Sequence, residues 1–253
     1  MRAGDDSASS PVVIGATGGS GTRVFARVAR LTGLFIGEDR NPAEDALPVA
    51  EYYDRWINPY LWHRRDLAPD PEAEMRAELD ALLERHRAPA DGGPWGWKEP
   101  RSVYLLDFLA RALPGMRFLH VVRDGRDVAF SKNQNQPRKH GPAFLGTESP
   151  EPDAPLRAIE LWSAVNIEAA DVGERVLGER YRRIRYEDLC ADPEPTVAEV
   201  LGFLGLEGDA GELARLVEPP PTLGRWRESD PALVRELERI GARGLERFGY
   251  LDG

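Results

Sequence analysis

Apolar positions along the chain fall in short blocks whose spacing keeps changing. Val12, Val13 and Ile14 make a continuous apolar run that ends at Gly15 and a stretch of small residues, Thr17-Gly18-Gly19-Ser20-Gly21-Thr22, which predicts a buried strand entering a tight loop. From Thr22 the spacing becomes helical: Val24, Phe25, Val28, Ala29 and Leu31 recur between Arg23, Arg27 and Arg30 until Gly33. Met75, Leu79, Leu82 and Leu83 predict a helix over about 71–87. A brief strand at 95–98 precedes a helix carrying Val103, Leu105, Leu106, Phe108, Leu109 and Leu113. Arg117 to Val122 reads as a second buried strand, turned at Asp124-Gly125 and followed by a helix over 128–133. A helix over 154–176 leads to a third strand, Tyr181 to Tyr186, and helices over 193–204, 209–217 and 230–247 close the chain.

Strands alternating with helices predict an α/β protein: a three-layer α/β/α arrangement on a central parallel sheet, with its site at the strand C-termini. Two stretches lack a period. Residues 38–66, with Tyr52, Tyr53, Trp56, Tyr60 and Trp62 among acids and prolines, read as an irregular cap over the site. Residues 132–155 hold five prolines and a Lys/Arg/His cluster and read as a long lid loop. No domain boundary is visible, so 1–10 is taken as a polar tail and 11–253 as one domain.

Composition narrows the function. With 33 Lys+Arg against 43 Asp+Glu the formal charge is −10, which disfavours nucleic acid as a partner. No run reaches the roughly 18 apolar residues of a membrane helix. A single cysteine, Cys190, leaves no disulfide or cysteine-based zinc cluster, no metal is expected, and a reducing, cytoplasmic setting fits.

A loop of small residues lets backbone N–H groups approach an anion at a helix N-terminus. Two nucleotide motifs fail here. A Walker A loop requires lysine then Ser/Thr where Thr22 and Arg23 stand, with glycine where Ala16 stands, and the dinucleotide fingerprint requires glycine where Val24 stands. In a second segment, Val121 to Ser131, Arg123 ends a strand and Ser131 follows on the next helix, so a planar fork of donors and a hydroxyl can face one phosphate. A plain Arg123–Asp127 pair is the alternative.

Together these residues resemble the sulfotransferases that use 3′-phosphoadenosine 5′-phosphosulfate (PAPS), in particular the tyrosyl and heparan types. Gly19-Ser20-Gly21-Thr22-Arg23, with Gly18, is similar to the family's 5′-phosphosulfate loop, and Arg123 with Ser131 to its 3′-phosphate site. Arg185-Tyr186-Glu187-Asp188-Leu189 and Gly224-Arg225-Trp226-Arg227 resemble its later cofactor-side segments, in the family's order, so that Tyr186, Gly224, Arg225 and Trp226 join the expected cofactor residues. The resemblance implies a P-loop NTPase-like topology and sulfuryl transfer from PAPS to a hydroxyl of a small-molecule or glycan acceptor, leaving 3′-phosphoadenosine 5′-phosphate (PAP). It implies that Lys98, in Trp97-Lys98-Glu99, stabilises the leaving oxygen, with a Lys98–Glu99 surface pair as the alternative. The acceptor's proton needs a base. Glu38 comes closest to the family's catalytic glutamate, with Asp39, Glu99 and His63 as further candidates, Glu99 expected to point away from Lys98 along the strand. Many relatives carry a basic residue where Gly19 stands. Two rival readings are an ATP-dependent kinase-like enzyme and a PAP-binding protein without turnover.

Overall fold

A computed structural model describes residues 10–132, 134–146 and 154–251. The polar tail, apart from Ser10, and positions 133 and 147–153 of the expected lid lie outside the described residues. In chain order the elements are β1 (Val12–Ala16), α1 (Thr22–Leu31), α2 (Leu47–His63), α3 (Glu72–Arg87), β2 (Gly96–Lys98), α4 (Leu106–Ala112), β3 (Arg117–Val122) and α5 (Gly125–Ala129). They continue with α6 (Asn135–Leu145), α7 (Ala154–Val172), β4 (Tyr181–Arg185), α8 (Tyr186–Ala191), α9 (Pro193–Leu204), α10 (Ala210–Ala214) and α11 (Pro231–Arg247).

The four strands pair in parallel in the order β2-β1-β3-β4. Every residue of β1 is buried, as a strand covered on both faces must be. Its side chains alternate between two cores. Val13 joins Phe118, Tyr181 and the apolar faces of α2, α3, α4 and α7, while Val12, Ile14 and Ala16 join Leu119, Val121, Ile184, α1 and α9. This alternation gives the expected three layers. Close approach of β1 and β2 requires glycine at 96, because a Cβ there would lie 1.8 Å from the Val12 carbonyl oxygen.

Both stretches read as irregular contain a helix. In α2, Pro48 stands in the first turn, where a missing N–H costs nothing, and Pro59 lies inside, so the prolines obscure the helical spacing without preventing it. Its Tyr52, Tyr53 and Tyr60 are buried in the core, with the Tyr53 hydroxyl 2.9 Å from Ser102 Oγ, and none of the three lines the large cavity described below. The expectation that these aromatics face the acceptor is therefore corrected. The described part of the lid stretch folds as α6, which buries His140, Gly141 and Ala143 and packs on α2 and α7. The helix expected over 128–133 instead runs from Gly125 to Ala129, its start capped by the Asp124 carboxylate, which accepts from Arg126 N, and Ser131, expected on this helix, lies just past its end. Among the described residues no helix is long and apolar enough to cross a membrane.

Candidate active site

The loop from β1 to α1 lies at the C-terminal edge of the sheet. Gly19 and Gly21 have φ of +87° and +80°, a region that favours glycine, and a Cβ on Gly21 would also meet the Tyr186 ring at 2.2 Å. Among the described residues no side chain caps α1. Its first-turn N–H groups and the positive end of its dipole are thus left to an anion. Gly18 N donates to Gln136 Oε1 of α6 at 2.9 Å, so α6 rests directly on the loop.

Arg123, leaving β3, reaches this loop from the neighbouring strand. Its Nη1 donates to the Gly19 carbonyl at 3.3 Å, and its Nη2 to Asp127 Oδ2 at 3.0 Å and to the Thr222 carbonyl at 2.5 Å. The guanidinium thus approaches the loop at Gly19. Its side chain is 7% exposed, yet the buried Nε has no hydrogen-bond partner among the described residues. A Cβ on Gly19 would stand 3.5 Å from Ser131 Oγ, and the Arg123 guanidinium lies 5.6 Å from the Tyr186 ring centroid. The loop, Arg123, Ser131 and Tyr186 therefore converge.

The segment 222–226 is joined to this group by Asp127, a residue the sequence reading used only as a possible partner for Arg123. Asp127 Oδ2 accepts from Gly224 N at 2.7 Å, and its backbone carbonyl accepts from Arg225 Nη2 at 2.6 Å. Gly224 and Trp226 line a separate cavity of about 580 Å³, and the Arg126 guanidinium stacks on Trp226 at 3.7 Å. The direct contact with the large cavity expected of Gly224 and Trp226 is thus absent from its lining; Asp127 turns their segment toward the second cavity while fixing it beside Arg123.

On the other side of β1, Lys98 ends β2. Its side chain is 3% exposed, and Nζ donates to the Ala43 carbonyl at 2.8 Å and pairs with Asp45. Its ionic partner is Asp45, not the adjacent Glu99. Asn41 Nδ2 donates to the other Asp45 oxygen at 2.8 Å, and Asn41 Oδ1 accepts from the backbone N–H groups of Ala43 and Asp45. This local turn holds the carboxylate in place.

Glu99 lines the same cavity as Lys98, against the strict strand alternation expected, because β2 stops at Lys98 and Glu99 caps the next turn by accepting from Arg101 N at 2.7 Å. Burial pushes the Glu99 carboxyl up, opposed by Arg101, whose Nε donates to it at 2.8 Å. Arg101 also pairs with Asp54, which pairs with Lys139 of α6 at 2.6 Å. Burial works to raise Asp54, but Lys139 and Arg101 hold it below the usual carboxylate range.

These groups enclose a cavity of about 1170 Å³, whose wall includes Gly18, Gly19, Gly21, Thr22, Arg23, Lys98, Arg123 and Tyr186. Glu38, the expected base, does not belong to that wall. The chain turns at Gly37 (φ +96°), packed on His86, and leaves Glu38 and Asp39 exposed. His63 sits at the end of α2, 3.6 Å from Asp70. Ionic pairing with Lys98 singles out Asp45 instead; its only local signal was the Asn41-x-x-x-Asp45 turn.

A glycine-rich anion loop at the edge of a parallel sheet, flanked by a buried arginine and a buried lysine, defines an α/β protein built to bind an anionic group and suited to its transfer. Residues 25–210 match the sulfotransferase family, and the chain belongs to it. Solved relatives share the fold across nearly the whole chain. The sulfotransferase domain of the Synechococcus PCC 7002 olefin synthase superposes with a TM-score of 0.55 at 18% identity, covering 96% of this chain and 95% of that one. A sulfotransferase from Mycobacterium avium gives 0.56 at 12% identity, covering 94% and 76%. Carbohydrate sulfotransferase 5 of Mus musculus is 34% identical over 100 residues, which make up 36% of this chain and 25% of that protein.

Proposed function

We propose that this sulfotransferase takes its sulfuryl group from PAPS and transfers it to a hydroxyl of a polar organic acceptor. The observation that carries the reading is the arrangement of two anion sites around the end of β1: an uncapped glycine-rich helix start and Arg123 with its buried, unpartnered Nε. The donor set fits a nucleotide phosphorylated at both ends. PAPS supplies the sulfuryl group in activated form, joined to a phosphate.

The chain's own residues bind and orient. Backbone N–H groups of Gly19 to Thr22, with Gly18 and Arg23 beside them, hold the 5′ end, and Arg123 with Ser131 holds the 3′-phosphate through a charged fork and a hydroxyl. Tyr186 packs on the nucleoside side, while Gly224, Arg225 and Trp226 keep Arg123 set through Asp127. Lys98 places a buried positive charge where negative charge develops on the leaving oxygen. Positioning and preset charge carry most of the rate gain, as in phosphoryl transfer.

The acceptor half of the wall is polar: Asn41, Asp45, Asp54, Arg101 and Lys139 line it, while the α2 tyrosines face the core. This supports a hydroxyl-rich acceptor such as a sugar, in keeping with the partial match to a carbohydrate sulfotransferase. A cytoplasmic setting suits the single thiol.

Thermal unfolding with PAP, with adenosine 5′-phosphate and with ATP-Mg tests the donor. PAP alone should stabilise, by about 2.7 kcal/mol at 100 times its dissociation constant. A response to ATP-Mg without one to PAP would point to a kinase-like enzyme, and PAP binding without sulfation of any acceptor to a binding protein.

A further inference from the structure

With Glu38 outside the cavity, the acceptor's proton needs another destination. Among the described residues the wall holds four carboxylates: Asp45, Asp54, Glu99 and Glu218. Glu99 is committed to Arg101 through both oxygens, and Asp54 is tied to Arg101 and Lys139. Glu218 belongs to the segment leading to Thr222, the partner of Arg123 on the β3 side of β1. Asp45 stands on the β2 side with Lys98, its side chain 19% exposed to the cavity. The charged groups that act around it are Lys98, its direct partner, and Glu99, which feels its charge, with Arg101 bound to Glu99.

We propose that Asp45 is the general base, and that its pairing with Lys98 makes this role depend on the donor. The inference rests on the sulfotransferase reading above. While the two are paired, Asp45 is neutralised and a buried ammonium has its counter-charge. When Lys98 turns to the leaving oxygen, it uncovers the Asp45 oxygen it held, while Asn41 keeps the other in place. The acceptor O–H bond then breaks with its proton passing to Asp45. The acceptor oxygen forms the new bond to sulfur, and the bond from sulfur to the bridging oxygen breaks, leaving its electron pair on the 5′-phosphate of PAP beside Lys98. Base and electrophilic stabiliser thus become available together. Without the donor, the site presents a neutral pair.

Asp45→Asn is the variant to test, with Asp45→Glu beside it. Two acceptors separate a base from a scaffold: p-nitrobenzyl alcohol, which must lose its proton during transfer, and p-nitrophenol, already largely ionised at pH 8. Asp45→Asn should lower transfer to the alcohol at least about 100-fold and to the phenol by less than about 10-fold, with Asp45→Glu recovering much of the alcohol rate. The second readout needs no turnover. Calorimetric titration of PAP at pH 6 in two buffers of different ionisation enthalpy counts protons taken up on binding. Wild type should take up more than Asp45→Asn, because the variant has no carboxylate to receive a proton when Lys98 turns to the nucleotide. Equal losses on both acceptors, an unchanged alcohol rate, or identical proton uptake would each overturn the proposal. Failure of the underlying reading shows differently, as a wild type that does not bind PAP.

Discussion

Asp127 is paired with Arg123 through Oδ2 and Nη2 at 3.0 Å, with the two side chains 1% and 7% exposed. The same oxygen accepts from Gly224 N, so one buried carboxylate sets the arginine and anchors the distant segment 222–226. Removing one partner from a buried pair leaves the other charge uncompensated, at a cost of about 3–5 kcal/mol. Asp127→Asn keeps the shape and loses the charge. It should lower the urea midpoint and weaken PAP binding at least about 10-fold. Unchanged PAP affinity would show that Asp127 does not set Arg123.

Arg123→Lys keeps the positive charge but not the planar fork. PAP affinity should fall about 100-fold or more in the variant, while affinity for adenosine 5′-phosphate changes by less than about threefold, since only the former has a 3′-phosphate. Equal losses for the two nucleotides, measured by calorimetry, would move the 3′-phosphate away from Arg123.

Lys98→Ala should separate binding from chemistry. A charge used as the leaving oxygen develops supports the transition state more than the bound state. Single-turnover sulfation is expected to fall by about 100-fold or more, a loss well beyond the loss of PAP affinity. A variant with wild-type turnover would remove Lys98 from the mechanism.

Gly21→Ala places a Cβ at φ +80° and into the Tyr186 ring. Such a conformation costs about 1–2 kcal/mol before the clash is added. Melting temperature and PAP affinity should both drop. Pairing it with Tyr186→Ala should restore part of the stability by removing the clash, leaving the strained φ.

Acid should destabilise the fold through two histidines. His120 of β3 lies between Tyr181 Oη (2.7 Å from Nδ1) and Asn166 Oδ1 (2.9 Å from Nε2), and burial lowers its pKa to about 4. Burial, then Arg101 and Lys139, lowers that of His140 to about 3. The unfolded chain takes up these protons near pH 6.5 and the folded chain only far below, so their contribution is complete above about pH 6.5 and shrinks as pH falls toward 4. By pH 4.5 each should have withdrawn about 2–3 kcal/mol. Urea unfolding from pH 8 to 4.5 reads this, and a midpoint that does not fall below pH 6.5 would contradict it.

The parallel α/β fold and the start of α1 were legible because apolar period and small-residue loops are local signals. Val12 to Ile14 and Arg117 to Val122 both read as strands, and both are strands paired in parallel. The helix in 47–63 was masked by Pro48 and Pro59, and α6 by Pro137 and Pro142. Their amphipathic faces are completed by tertiary packing, in which α6 lies on α2 and α7. Glu38 was read from sequence distance to the loop, but a single turn at Gly37 leaves it exposed.

By itself, the sequence determined the strand–loop–helix order, the glycine positions that a close anion loop requires, and the presence of Arg123, Ser131 and Lys98 in the family's order. Only the tertiary structure decided that Lys98 meets Asp45, that Asp127 joins Arg123 to Gly224, and that the tyrosines of α2 face the core. Period and loop chemistry depend on neighbours a few residues apart. Those pairings join residues roughly fifty to a hundred positions apart, and the strand register and helix packing that bring them together leave no mark in the local pattern.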